Sequence, residues 1–116
     1  MKNKEYQSII KMIEYIDRAE EYTCSKTFEE FSNDSMMIDA TIFVISQIGE
    51  LVKNLDKDFQ KKYPKIKWHV LKGIRNRIIH DYEGINLEIV WAIVKEDIGV
   101  LRNNLEEILE NENNTI

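Results

Sequence analysis

Arg75, Asn76, Arg77, His80 and Tyr82 fall in one short segment, Arg75-Asn76-Arg77-Ile78-Ile79-His80-Asp81-Tyr82. Histidine exchanges a proton near neutral pH, and arginine stays charged while presenting a fork of donors matched to phosphate oxygens. Cutting RNA without a metal needs both: a base for the ribose 2′-hydroxyl and a cation for the charge that develops on phosphate in the transition state. The competing reading is structural. His80 is then a helix C-terminal residue favoured by the macrodipole, and the arginines are surface charges. An Arg-x4-His spacing alone is a weak signal between the two.

Helix geometry constrains the chemical reading. Five residues turn through about 500°, so Arg75 and His80 stand roughly 140° apart around a continuous axis. Asn76 and His80, four apart, share a face, where Asn76 can orient the imidazole or hold a phosphate oxygen. Arg75 must reach round with its long side chain, or the helix must end just before His80, or two chains must bring their segments together. A homodimer with a composite groove satisfies the last condition.

The charge pattern points to the same stretch. Between Gln60 and His80 lie seven basic residues, Lys61, Lys62, Lys65, Lys67, Lys72, Arg75 and Arg77, and no acidic ones, although the whole chain carries a net charge of −5. A local positive patch on an acidic protein suits a polyanion bound at one place. A solvated helix face is the plainer explanation.

Four main helices are expected to position these groups. The first spans about Lys4 to Tyr22, with Tyr6, Ile9, Ile10, Ile13 and Ile16 as its apolar stripe. Thr23 to Phe31 is a link. The second starts near Ser32-Asn33-Asp34, good N-cap residues, and carries Met37, Ala40, Val44, Ile48, Leu51 and Leu55 on one face to about Asp58. The third runs from Pro64 to about His80, with Ile66, Val70, Ile74 and Ile78 at four-residue steps, and Gly84 marks its far end. Asn86 caps the fourth, which continues almost to Asn111 before a polar tail expected to fray. No strand pattern and no repeat interrupts this all-α organisation.

Length and composition set the outer bounds. A chain of 116 residues is one domain's worth and can bury its own core, and 43% hydrophobic with 32% charged residues, 4 Gly and 1 Pro describe a compact helical chain. Cys24 is the only cysteine, which excludes an internal disulfide or a cysteine-built zinc cage and fits a reducing cytoplasm. The uncharged run from Ala40 to Gly49 is about half of a membrane span, and the first residues lack a secretion signal, so a soluble protein without membrane attachment is expected.

With these residues in view, the chain resembles the HEPN superfamily, and within it the HepT-like toxins. The resemblance rests on Ile48-Gly49-Glu50, Tyr63-Pro64-Lys65-Ile66-Lys67-Trp68, Gly73-Ile74-Arg75-Asn76-Arg77 through His80-Asp81-Tyr82, and Leu87-Glu88-Ile89-Val90-Trp91. The family pattern is Arg-x4-His-x-Tyr with a polar residue after the arginine, here unbroken. The resemblance implies an up-and-down bundle of four main helices plus short extra turns, in a single domain over residues 1–116. It implies a metal-independent endoribonuclease needing no cofactor, acting on tRNA or mRNA as a homodimer, with Arg75 and His80 of both chains in one cleft and 2′,3′-cyclic phosphate products. It further implies a neighbouring MntA-type nucleotidyltransferase antitoxin that silences the toxin by transferring AMP onto Tyr82. A phosphate and a nucleotide two residues from His80 would repel and exclude the substrate; an aromatic packed at a helix end is the alternative role for Tyr82.

Some residues keep open assignments. Glu50 is read either as a partner that positions Arg75 or Arg77, or as an ordinary exposed glutamate. Trp68 and Trp91 are expected to anchor the core or a dimer interface rather than stack on bases. His69 has no partner motif. Gly99 stands where the family often has proline, a departure affecting helix shape alone. An alternative function, a non-catalytic module that docks a nucleotidyltransferase, predicts Arg75 or His80 buried as an ion pair, whereas an enzyme needs both exposed in a common groove.

Overall fold

The computed structural model describes residues 1–79 and 86–114. Within them the chain is helical: α1 (Asn3–Thr23), α2 (Phe28–Ser32), α3 (Ser35–Leu51), a 3-10 turn (Val52–Asn54), α4 (Lys57–Lys62), α5 (Trp68–Lys72), α6 (Ile74–Ile79), α7 (Leu87–Ala92), a π-turn (Ile93–Asp97) and α8 (Ile98–Asn114). No strand occurs among the described residues. The expected all-α bundle is therefore the observed architecture, with α1, α3 and the α7–α8 rod as its long members.

The long helices start where their caps require. The Asp34 carboxylate accepts from the Met37 amide at 3.0 Å, and the Asn86 side chain accepts from the Ile89 amide at 3.2 Å, each satisfying a donor that the helix start leaves open. In the expected link before α3, Thr27 and Glu30 form a reciprocal capping box, which explains the extra helix α2. α1 packs along α3 through Ile9, Met12, Ile16 and Ala19 against Val44, Ile45 and Ile48, all buried. The stripe of α1 is thus rotated from the expected one: Met12 is buried, and Tyr6 is exposed.

Among the described residues, α3 with the 3-10 turn that follows it, Ser35–Asn54, is the one helical stretch whose length and hydropathy would allow a membrane crossing. Here it is the central helix of the bundle, with Thr41, Val44, Ile45, Ile48 and Gly49 buried against its neighbours.

The single third helix expected from Pro64 to His80 is instead broken. α4 precedes it, Pro64 lies in the connecting turn, and α5 and α6 meet at Gly73. The Trp68 indole N–H explains the break before α5, because it donates to the carbonyls of Gln60 and Tyr63 (3.1 Å each) and so satisfies the end of α4. Two short axes replace one four-residue stripe. Trp68 and Leu71 are buried, and Val70, which a continuous helix would have turned inward, is exposed.

Between α7 and α8 the π-turn adds one residue to a helical turn. Ile93, Val94 and Ile98 all reach the core, leaving Lys95, Glu96 and Asp97 on the outside. Lys95 Nζ then donates to the Thr23 carbonyl at 2.7 Å and sits 4.7 Å above the Trp91 ring, closing the end of α1. Beyond residue 111, where the polar composition predicts fraying, α8 continues to Asn114. Glu112 is buried there and pairs with Lys62 at 2.7 Å and with the Tyr63 hydroxyl.

Candidate active site

α6 has six residues, and two of them fix its orientation. Ile74 and Ile78, four apart, are buried, so Arg75, Asn76 and Arg77 are turned outward. The helix is seated on α3 through Gly49. A Cβ there would lie 2.6 Å from the Leu71 carbonyl oxygen and 2.9 Å from Ile74 Cγ2, so only glycine admits so close an approach. Gly49 therefore sets the depth at which α5 and α6 lie on α3, and with it the position of Arg75.

Arg75 lines an open groove of about 690 Å³ whose other wall is the outer face of α3, with Asp39, Phe43, Gln47 and Glu50, followed by Lys53 and Asn54. Arg75 is exposed and has no hydrogen-bond or ion-pair partner among the described residues. Its guanidinium is therefore available to an anion. Glu50 lies in the same groove but pairs with Lys53 (3.2 Å), its neighbour one turn on. The expected pairing of Glu50 with an arginine is thus not what forms, because Lys53 is nearer along the helix and Arg77 has its own carboxylate, Asp97, at 3.9 Å. Asn76 is exposed between the two arginines and has no side-chain partner among the described residues.

His80 and Tyr82 lie outside the described residues. The described ends on either side of them meet, since the Asn86 amide donates to the Ile78 carbonyl at 3.4 Å. His69 is exposed on α5. Trp68 is buried in the core, and Trp91 packs on Phe31 and Phe28 of α2, with ring centroids 5.2 and 6.0 Å apart. Core anchoring is thus the role both tryptophans fill. Among the described residues no group of three or more His, Cys, Asp or Glu gathers as a metal cage requires.

The seven-residue basic segment divides in three dimensions. Lys62, Lys65 and Arg77 pair with Glu112, Glu107 and Asp97 of the π-turn and α8, while Lys61, Lys67, Lys72 and Arg75 have no carboxylate partner among the described residues. Sequence reasoning overlooked Phe43, 55% exposed, and Met36, 82% exposed. A signal existed, because both precede residues of the expected inward stripe of α3 and so point away from it.

Comparison with known proteins agrees with the family resemblance. The family described as Ribonuclease HepT-like matches residues 12–108. The chain is similar to a protein named "Probable ribonuclease HepT" from Thermococcus cleftensis, at 33% identity over 93% of this chain and 98% of that one. It is also similar to provisionally named RNases of Methanocaldococcus jannaschii, at 42% identity over 78% of this chain and 72% of the relative, and of Caldanaerobacter subterraneus, at 37% over 74% and 77%. No solved structure matches the chain significantly. On the extent of the family match and the coverage of these relatives, the chain belongs to the HepT-like ribonuclease family.

Proposed function

We propose that this chain is a metal-independent endoribonuclease toxin of a toxin–antitoxin pair, cutting tRNA or mRNA in the cytoplasm. His80 removes the proton from a ribose 2′-hydroxyl, and the oxygen attacks the adjacent phosphorus. The 5′-oxygen leaves with a proton, and a 2′,3′-cyclic phosphate remains. Arg75 binds the phosphate oxygens as their charge grows, and Asn76 and Arg77 assist in holding the strand. The observation that carries this reading is Arg75, exposed in an open groove and paired with no carboxylate among the described residues. A docking module built on a buried ion pair would not leave that guanidinium free.

The working form in this reading is a homodimer whose two Arg-x4-His segments share a cleft. Phe43, which lines the groove with Arg75, and Met36, exposed about two turns earlier on α3, support a protein-covered face on this helix. The antitoxin is an MntA-type nucleotidyltransferase that transfers AMP to Tyr82, which places phosphate charge among the cations the RNA requires.

The test is to incubate purified wild type, Arg75→Ala and His80→Ala with total tRNA in EDTA and map new ends. Cleavage by wild type alone, leaving 2′,3′-cyclic phosphates, is the expected result. Equal cleavage by either variant, or none by a folded dimer whose Tyr82 is unmodified by mass spectrometry, overturns the assignment.

A further inference from the structure

A second groove, of about 220 Å³, lies on the other side of α6, between α5, the π-turn and α8. We infer that it is a binding site for one unpaired nucleotide of the RNA substrate, distinct from the site of the scissile phosphate; this rests on the ribonuclease reading.

The groove's chemistry matches a nucleotide part by part. Its floor is apolar, formed by Ile66, Leu71, Ile74, Ile93 and Ile98. Its walls carry Val70 and Val100, 45% and 61% exposed, which is apolar surface left uncovered on both sides of one slot. A base has two apolar faces that such walls can hold and a polar edge that they cannot satisfy. Asn104 supplies what the edge needs, since its amide lines the slot, donates as well as accepts, and has no hydrogen-bond partner among the described residues. The rim carries three cations, Lys65, Lys67 and Arg77, against one carboxylate, Asp97, on a chain whose net charge is negative. Lys65 and Arg77 hold only long ion pairs, 3.4 and 3.9 Å, between half-exposed or more exposed side chains, which water and salt weaken. Lys67 has no such partner among the described residues. Phosphate can therefore recruit all three.

Size and symmetry exclude the neighbouring choices. The volume is below that of pockets enclosing a whole small molecule, so the groove takes one part of a larger ligand. The bases of a duplex are stacked and paired, so their faces are not available to these walls. A second copy docked here by a two-fold axis would bring the basic rim of Lys65, Lys67 and Arg77 against the same basic rim of its partner, a repulsive arrangement. Because Arg77 lies two residues from Arg75, an unpaired strand held here keeps its scissile phosphate in reach of α6, and the enzyme then prefers single-stranded RNA with a base in fixed register.

The test compares wild type with Lys67→Ala/Asn104→Ala on an unpaired ten-nucleotide RNA and on a dinucleotide too short to occupy both grooves. The expected result is a rise in KM of about tenfold or more on the longer strand with kcat retained, as loss of one phosphate and one base contact predicts, and no such rise on the dinucleotide. Equal KM values on the longer strand overturn the inference. So does a change in oligomeric mass by light scattering, which would make the groove a protein interface. If wild type cleaves neither substrate, the ribonuclease reading fails by itself. Fluorescence polarisation with the same ten-nucleotide RNA then decides the site: weaker binding by the variant supports it, and equal binding overturns it.

Discussion

Arg75 and Arg77 stand two residues apart on α6 and line different grooves, Arg75 the one walled by α3 and Arg77 the one walled by the π-turn and α8. Two residues turn a helix by about 200°, so adjacent positions of one basic run serve opposite sides. Asp97 reinforces the division, since its carboxylate, carried on the π-turn, faces Arg77, whereas Arg75 has no ion-pair partner among the described residues.

That asymmetry sets the expected ranking of variants. Arg75→Ala should lower cleavage by about 10²–10³-fold, the usual effect of removing one donor to transition-state charge, with circular dichroism unchanged because the side chain is exposed and unpaired among the described residues. Arg75→Lys should recover only part, since an ammonium lacks the fork. Arg77→Ala should cost less in kcat than in KM. Single-turnover kinetics on a defined RNA would measure all three, and an Arg75→Ala enzyme of wild-type rate would remove Arg75 from the chemistry.

Gly49→Ala tests how the arginine helix is seated. Alanine in place of glycine favours a helix by up to about 1 kcal/mol. Its Cβ would meet the Leu71 backbone oxygen at 2.6 Å, and overpacking of this kind costs about 1–3 kcal/mol. The clash should win, lowering the urea midpoint and moving α5 and α6 outward with a fall in activity. Gly99→Ala is the control, because nothing lies within 4 Å of a Cβ there, and it should stabilise the protein by up to about 1 kcal/mol. Equal urea midpoints for the two variants would contradict the packing argument.

Much of this was legible in the residues. Asp34 and Asn86 mark the starts of α3 and α7, and helical spacing finds the bundle. The third helix was less legible, because its stripe Ile66, Val70, Ile74 and Ile78 is sound as spacing, while the break before α5 depends on Trp68 bonding the carbonyls of Gln60 and Tyr63 at the end of α4. A period cannot encode that tertiary contact. For the same reason Glu50 looked free to reach an arginine, when Lys53 one turn on and Asp97 on a π-turn take the partners first. His80 and Tyr82 stand outside the described residues, so their placement rests on the motif.

Glu112 gives a pH prediction. The hydrogen bond from Lys62, with that from Tyr63 and the nearby Met1 amine, holds its pKa at about 2, below the ordinary 4.5. A depressed carboxylate pKa stabilises the fold fully above the unfolded value and progressively less as pH falls through the folded one. Stability from this group should therefore be present above about pH 4.5 and drain away toward pH 2. Glu112→Gln should lose about 1–3 kcal/mol near neutrality, as expected when a buried charge-assisted bond is broken, and should show a flatter decline in acid. Melting temperatures from pH 7 to 2.5 test this; parallel curves for the two proteins would exclude Glu112 as the source.

The composite cleft makes the most demanding prediction. On a continuous helix Arg75 and His80 diverge by roughly 140°, so a cleft that uses both is most simply built from Arg75 of one chain and His80 of the other. Arg75→Ala and His80→Ala homodimers would then each be inactive, while a mixed dimer keeps one complete Arg75–His80 pair. Random exchange makes half the dimers mixed, with one of two sites intact, so activity should return to about a quarter of wild type. Chains that each needed their own Arg75 and His80 would recover nothing on mixing. Phe43→Asp completes the argument, because a charge on that exposed apolar face should dissociate the dimer and abolish both the activity and the recovery, as read by light scattering alongside cleavage. A Phe43→Asp protein that stays dimeric would move the interface to another face of the bundle.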